Sequence, residues 1–215
     1  MSSSLLKEIR QCRACEPHLS HGANPVIQAH PNARLLIIGQ APGIKVHESS
    51  IPWNDASGER LREWLGIDSD TFYDEQKVAI VPMGFCYPGK GKSGDLPPRK
   101  ECAELWHNKV LQSLPNIQMT LLIGQYAQNH YLTNKTTSTL TETVRDWQRW
   151  APEFLPLPHP SPRNNIWLKK NPWFESEVIP YIRKHISEHL AYHDPNAELT
   201  AHNKIKPRSN TNFRQ

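Results

Sequence analysis

Three segments of this chain are apolar at consecutive positions rather than alternate ones. They are Arg34-Leu35-Leu36-Ile37-Ile38-Gly39, Lys77-Val78-Ala79-Ile80-Val81 and Met119-Thr120-Leu121-Leu122-Ile123-Gly124. A strand of that kind is covered on both faces, which is the habit of parallel sheets flanked by helices. A short last strand is expected over Phe154-Leu155-Pro156-Leu157-Pro158. Helical stretches fall between and around the runs. Leu5 to Gln11 leads into Cys12. Ser57 to Gly66 has Ser57 as the expected N-cap and Gly66 as the closing residue. Glu101 to Leu114, a stretch from Gln125, Thr139 to Trp150, and Asn171 to Leu190 follow, the last with Pro180 as a kink or break. Strands alternating with helices predict an α/β domain with a mainly parallel sheet.

Such sheets bind ligands beyond the carboxyl ends of their strands. Two loops stand there: Gly39-Gln40-Ala41-Pro42-Gly43 and His159-Pro160-Ser161. The histidine loop is therefore expected at one rim of the same crevice as the Gly39–Gly43 loop. The domain is expected to occupy residues 1–193. From Asp194 to Gln215 the chain turns polar and loses periodicity, which reads as a disordered, mildly basic tail.

The 19 prolines predict stiff loops. No apolar run reaches the roughly 20 residues that a membrane helix needs. The start, Met-Ser-Ser-Ser-Leu-Leu-Lys-Glu, lacks the basic end and apolar centre of a secretory leader, so a cytoplasmic location is expected. A net charge of +4 is compatible with a polyanionic partner without requiring one. The loop Tyr87-Pro88-Gly89-Lys90-Gly91-Lys92-Ser93-Gly94 is basic and reads as flexible. It lacks the spacing of a phosphate-binding P-loop, which excludes a nucleoside triphosphate site of that type. Lys90, Lys92, Arg99 and Lys100 suit backbone phosphates instead.

Cys12 and Cys15 form C-x-x-C, and Cys86 and Cys102 a much wider pair. Zinc ribbons pair two short knuckles, and the second pair is too wide for one. Four thiolates gathered from separate segments also suit an iron–sulfur cluster. Spacing alone leaves zinc and iron–sulfur both open.

Pro156-Leu157-Pro158-His159-Pro160-Ser161-Pro162-Arg163-Asn164-Asn165 holds one imidazole in a stiff frame with polar groups crowded behind it. That arrangement costs little to preorganise as a hydrogen-bond donor.

Taken in order, Cys12-Arg13-Ala14-Cys15, Gly39-Gln40-Ala41-Pro42-Gly43, Pro52-Trp53-Asn54-Asp55-Ala56-Ser57-Gly58, the Cys86/Cys102 pair and His159-Pro160-Ser161 resemble the type-four, iron–sulfur branch of the uracil-DNA glycosylase superfamily. The resemblance runs from about Cys12 to Leu190. It implies a three-layer α/β/α fold around a central, mainly parallel four-stranded sheet. It implies a monomeric, monofunctional glycosylase acting on uracil or a related deaminated base in DNA. The four cysteines would hold a structural [4Fe–4S] cluster, with zinc as the alternative.

The same resemblance assigns roles. His159 hydrogen bonds the departing base. Trp53 stacks on it, and Gln40 and Ala41 contact base and sugar. Ser161, Arg163 and Asn164 meet the DNA backbone or minor groove. His47, then Glu48 or Asp55, would position the attacking water. Two departures stand out. Gln40 replaces a glutamate and cannot act as a general base. Pro82 stands where the family places an asparagine that reads the base, with Asn54 as a possible substitute. These departures motivate a second reading: a nucleic-acid-binding protein with the same fold and cluster but altered chemistry. No lysine is placed by motif for a Schiff base, so no lyase step is expected.

Overall fold

The computed structural model describes residues 3–133 and 139–190. The expected tail, 194–215, lies outside the described residues. The strands are β1 (Leu35–Ile38), β2 (Val78–Ile80), β3 (Met119–Ile123) and β4 (Phe154–Leu157). They form one sheet in the order β2-β1-β3-β4, every pairing parallel. Alternate residues feed two separate cores. Leu35 and Ile37 join Leu61, Trp64, Phe72, Phe174 and Ile182 on one face. Leu36 and Ile38 join Ile9, Phe85, Val110 and Ala127 on the other. The two cores make the α/β/α layering, and they explain why these strands are apolar at every position.

The free edge of β2 is closed by the chain before β1. Gln28 and Ile80 exchange backbone hydrogen bonds at 3.0 and 2.7 Å, and Val26 N–H donates to Phe85 O at 2.8 Å. The Gln28 amide also donates to Phe72 O and Val78 O. A bare sheet edge invites unwanted pairing. Covering it here brings the Cys12 segment beside Cys86.

Local details depart from the sequence reading in three places. The helix expected from Ser57 is Ala56–Leu65, and its N-cap is Asp55, whose carboxylate accepts from Gly58 N–H. Ser57 is buried in its first turn. The stretch after Gly43, to which the sequence reading assigned no helix, opens with the helix Ile44–Ser49. The last helix does not break at Pro180. A π turn over Phe174–Val178 runs into Ile179–Leu190. The wider turn ends two residues before Pro180, which lacks a backbone donor.

A second π turn, Ala103–His107, follows Lys100–Cys102 and leads into Asn108–Gln112. It sets His107 into the core at 2% exposure. His107 Nε2 lies 3.0 Å from Pro82 O, and Nδ1 meets the Tyr131 hydroxyl. A carbonyl only accepts, so Nε2 carries the proton and Tyr131 donates to Nδ1. Burial pushes the His107 pKa from 6.5 down to about 4. Between those values the unfolded chain binds a proton that the folded one does not. The stabilisation from this neutral histidine is therefore complete above the unfolded value and lost as pH falls toward the folded one. It amounts to about 3 kcal/mol. Urea unfolding measured from roughly pH 7 to 4.5 should show that loss, and His107→Gln should flatten this part of the profile.

Candidate functional site

A cleft of about 560 Å³ opens beyond the carboxyl ends of the strands. Its walls come from the Gly39–Gly43 loop, from Pro52, Trp53 and Asp55, from Pro82 after β2, from Ser93–Leu96, and from His159, Ser161, Arg163 and Asn164. The size lies within the usual range for small-ligand sites.

Trp53 is seated by two glycines. Its ring lies on Gly39, where a Cβ would stand 2.9 Å from Cζ2. Its backbone lies against Gly58, where a Cβ would stand 1.7 Å from Trp53 O. Trp53 itself has φ 56, a costly value for a bulky residue. The chain thus accepts strain to turn this indole into the cleft. There it meets His159, ring centre to ring centre 5.5 Å.

His159 is held by its own loop. Ser161 N–H donates to Nδ1 at 3.2 Å, so Nδ1 is unprotonated and Nε2 carries the hydrogen. Asn164 Nδ2 donates to His159 O at 2.7 Å, and Arg60 Nη1 to Ser161 O at 3.2 Å. Burial pushes the His159 pKa below its ordinary value, and the Asp55 carboxylate pulls it only partly back. The result is a neutral, oriented Nε2–H donor. Ser161 Oγ accepts from Arg163 N–H. Ser161 and Asn164 therefore brace the histidine loop, an arrangement that the sequence reading, which aimed them at DNA, missed. Its sign in sequence was the Ser-x-x-Asn spacing, a turn-capping pattern.

The structure does not bring every candidate together. His47 does not line the cleft. It lies among His21 and Tyr87, with ring centres 5.9 and 6.1 Å away. Asn54 is exposed and also does not line it. The helix Ile44–Ser49 decides the first case: it turns His47 toward the N-terminal segment, where Asn24 Nδ2 bonds His47 O. Asp55 does line the cleft, with Oδ1 engaged as the helix cap at 2.9 Å from Gly58 N. Among the described residues its other oxygen has no hydrogen-bond partner. The loop read as flexible is closed by Gly91 N–H to Gly94 O at 2.6 Å and Leu96 N–H to Gly89 O at 2.8 Å. Its residues Tyr87, Pro88 and Gly89 are buried. Arg99 pairs with Glu101 rather than standing free, while Lys90, Lys92 and Lys100 are exposed.

Cys15, Cys86 and Cys102 are buried, Cys12 partly so, and none of the four is joined in a disulfide. Cys102 feels the charges of the other three. Burial pushes Cys86 up to about 11 and Cys102 up to about 12, so alone they would be neutral thiols. Phe85 N–H points at Cys102 Sγ, 3.5 Å away. Among the described residues no group of three or more His, Cys, Asp or Glu side chains is placed to hold a metal ion. In donor type and number the four thiols fit an iron–sulfur cluster.

A family profile described as "Uracil DNA glycosylase superfamily" matches residues 27–183, most of the chain. The chain belongs to the uracil DNA glycosylase superfamily. The match takes in the cleft loops and His159. A solution NMR structure of a candidate uracil DNA glycosylase from Methanosarcina acetivorans aligns with 74% of this chain and 94% of its own, at 16% identity and a TM-score of 0.43. Among the described residues no helix is long and apolar enough to cross a membrane.

Proposed function

We propose that this superfamily member is a monofunctional DNA glycosylase that hydrolyses the N-glycosidic bond of uracil or a related deaminated base. The observation that carries the reading is the pairing of Trp53 with a His159 held as an Nε2–H donor in one cleft. An extruded base needs a flat apolar surface and a donor at the oxygen where negative charge grows. Trp53 supplies the first and His159 Nε2–H the second. A neutral donor stabilises the departing anion without titrating near neutral pH. Asp55 is the water-positioning residue in this reading, in place of His47. As the bond from the sugar carbon to the base nitrogen breaks, its electron pair leaves with the base; water oriented by Asp55 adds to that carbon, and the proton it loses passes through solvent to the departed base anion. Arg163, exposed at the rim, and the free lysines meet phosphates, which position the strand. The protein acts as a monomer.

The test is a strand-nicking assay. Single-stranded and duplex oligonucleotides carrying uracil, hypoxanthine, xanthine or no lesion are incubated with protein and treated with alkali. Alkali-dependent cleavage at one lesion is expected. No cleavage at any lesion overturns the reading. A stable complex without product would then favour a protein that binds without chemistry, the reading that the neutral Gln40 motivates.

The four cysteines hold a structural [4Fe–4S] cluster in this proposal, tying the N-terminal segment to the Lys100–Cys102 helix. The cluster supplies cross-linking and no step of the hydrolysis. Purified protein should be brown, with a broad band near roughly 400 nm. Cys102→Ser should remove most of that band and lower the unfolding midpoint. A colourless protein with one zinc per chain overturns the assignment.

A further inference from the structure

Deaminated bases differ from their parents at one edge. Uracil and hypoxanthine present a ring N–H beside a carbonyl, where cytosine and adenine present a ring acceptor beside an amino group. A side-chain amide carries an acceptor and a donor next to each other and matches that lactam edge with two hydrogen bonds. The strand end after β2 carries Pro82 rather than an amide. Its main-chain N–H donors are already engaged. Val81 N–H donates to Ile37 O, Met83 N–H to Gly39 O and Gly84 N–H to Gln40 O, at 2.9, 3.0 and 2.9 Å. Phe85 N–H faces Cys102 Sγ, and Pro82 O is taken by His107.

Gln40 lies on the neighbouring strand end. It is partly buried and lines the cleft. Among the described residues its side-chain amide has no hydrogen-bond partner. Its Nε2 stands 2.5 Å from where a Cβ on Gly124 would be. Gly124 ends β3 with φ 83 and leaves a notch that the amide fills.

We propose that Gln40 is the specificity-determining residue of this cleft: its amide, seated against Gly124, reads the lactam edge of an extruded base in the place where Pro82 contributes none. The inference rests on the glycosylase reading above. It also accounts for the neutral residue at this position, since a carboxylate would set an oxygen against the base carbonyl.

The experiment is steady-state excision by the full chain on uracil, hypoxanthine and xanthine oligonucleotides. Gln40→Met keeps length and removes both hydrogen bonds. Gln40→Glu keeps only acceptors. Each should lower kcat/KM by about 10- to 100-fold on the preferred base, with the unfolding midpoint unchanged. Gly124→Ala should lower kcat/KM by a larger factor in the wild type than in the Gln40→Met background. Backbone strain at Gly124 is common to both backgrounds and cancels in the cycle. An active wild type whose Gln40→Met variant keeps its rate and preference overturns this inference alone. Equal cost of Gly124→Ala in both backgrounds does the same. A wild type inactive on every lesion overturns the glycosylase reading and this one with it.

Discussion

His159→Ala is expected to lower single-turnover base excision by about 10²- to 10⁴-fold, while DNA binding stays nearly intact. The size follows from what is lost. Nε2–H is a donor whose orientation is set before substrate arrives, by Ser161 N–H at Nδ1 and by the Asn164 bond to His159 O. A preorganised donor acts where charge develops and needs no reorganisation in the transition state. It contributes little to the ground-state complex, whose affinity comes mainly from phosphate contacts. The split between rate and binding is therefore the diagnostic quantity. His159→Gln, which restores a donor on a flexible stem, should recover part of the rate. Unchanged turnover in His159→Ala would remove the histidine from the mechanism. Equal losses in rate and affinity would assign it to binding.

Gly58→Ala is expected to damage stability and excision together. The added carbon would stand 1.7 Å from Trp53 O, 2.7 Å from Trp53 C and 2.9 Å from Trp53 Cβ. Two of these are backbone atoms, so no rotamer change relieves the clash. The same glycine donates the N–H that caps on Asp55. Making room therefore moves the start of the Ala56–Leu65 helix away from Trp53 and loosens the cap. Trp53 already holds a strained φ of 56, which persists only while its surroundings enforce it. The expected cost is about 2–4 kcal/mol of stability, by overpacking and loss of the cap. Excision should fall by at least about 100-fold, because the indole leaves Gly39 and the cleft changes shape. Chemical unfolding and single-turnover kinetics on the same preparation check both effects. Wild-type values in both would show that Gly58 does not hold Trp53.

The strands could be read from the sequence because each is buried on both faces, so Leu35 to Ile38 carry no polar residue to obscure the run. The rims of the crevice followed, since both loops leave strand ends. Elements that depend on few residues were harder. Ile44–Ser49 is six residues long and carries Lys45, His47 and Glu48, so no apolar period marks it. The true N-cap, Asp55, stands two residues before the serine that resembled one, and only backbone geometry separates them. The N-terminal segment has no strand pattern because it covers the edge of β2 mainly through backbone bonds and the Gln28 amide.

Local chemistry therefore determined, in the sequence itself, the layered parallel sheet, the two loops at its carboxyl ends, the candidate donor and the four thiols. Burial patterns and proline or glycine constraints act over a few residues and survive in one dimension. Tertiary structure decided which side chains face the cleft. It turned His47 away and Asp55 in, gave Asn164 to the histidine loop, tied Pro82 O to His107, and left the Gln40 amide beside Gly124. Those outcomes depend on the rotation of a helix one residue either way and on atoms far apart in the chain. A residue's neighbours in sequence do not encode that direction; packing against the two cores does.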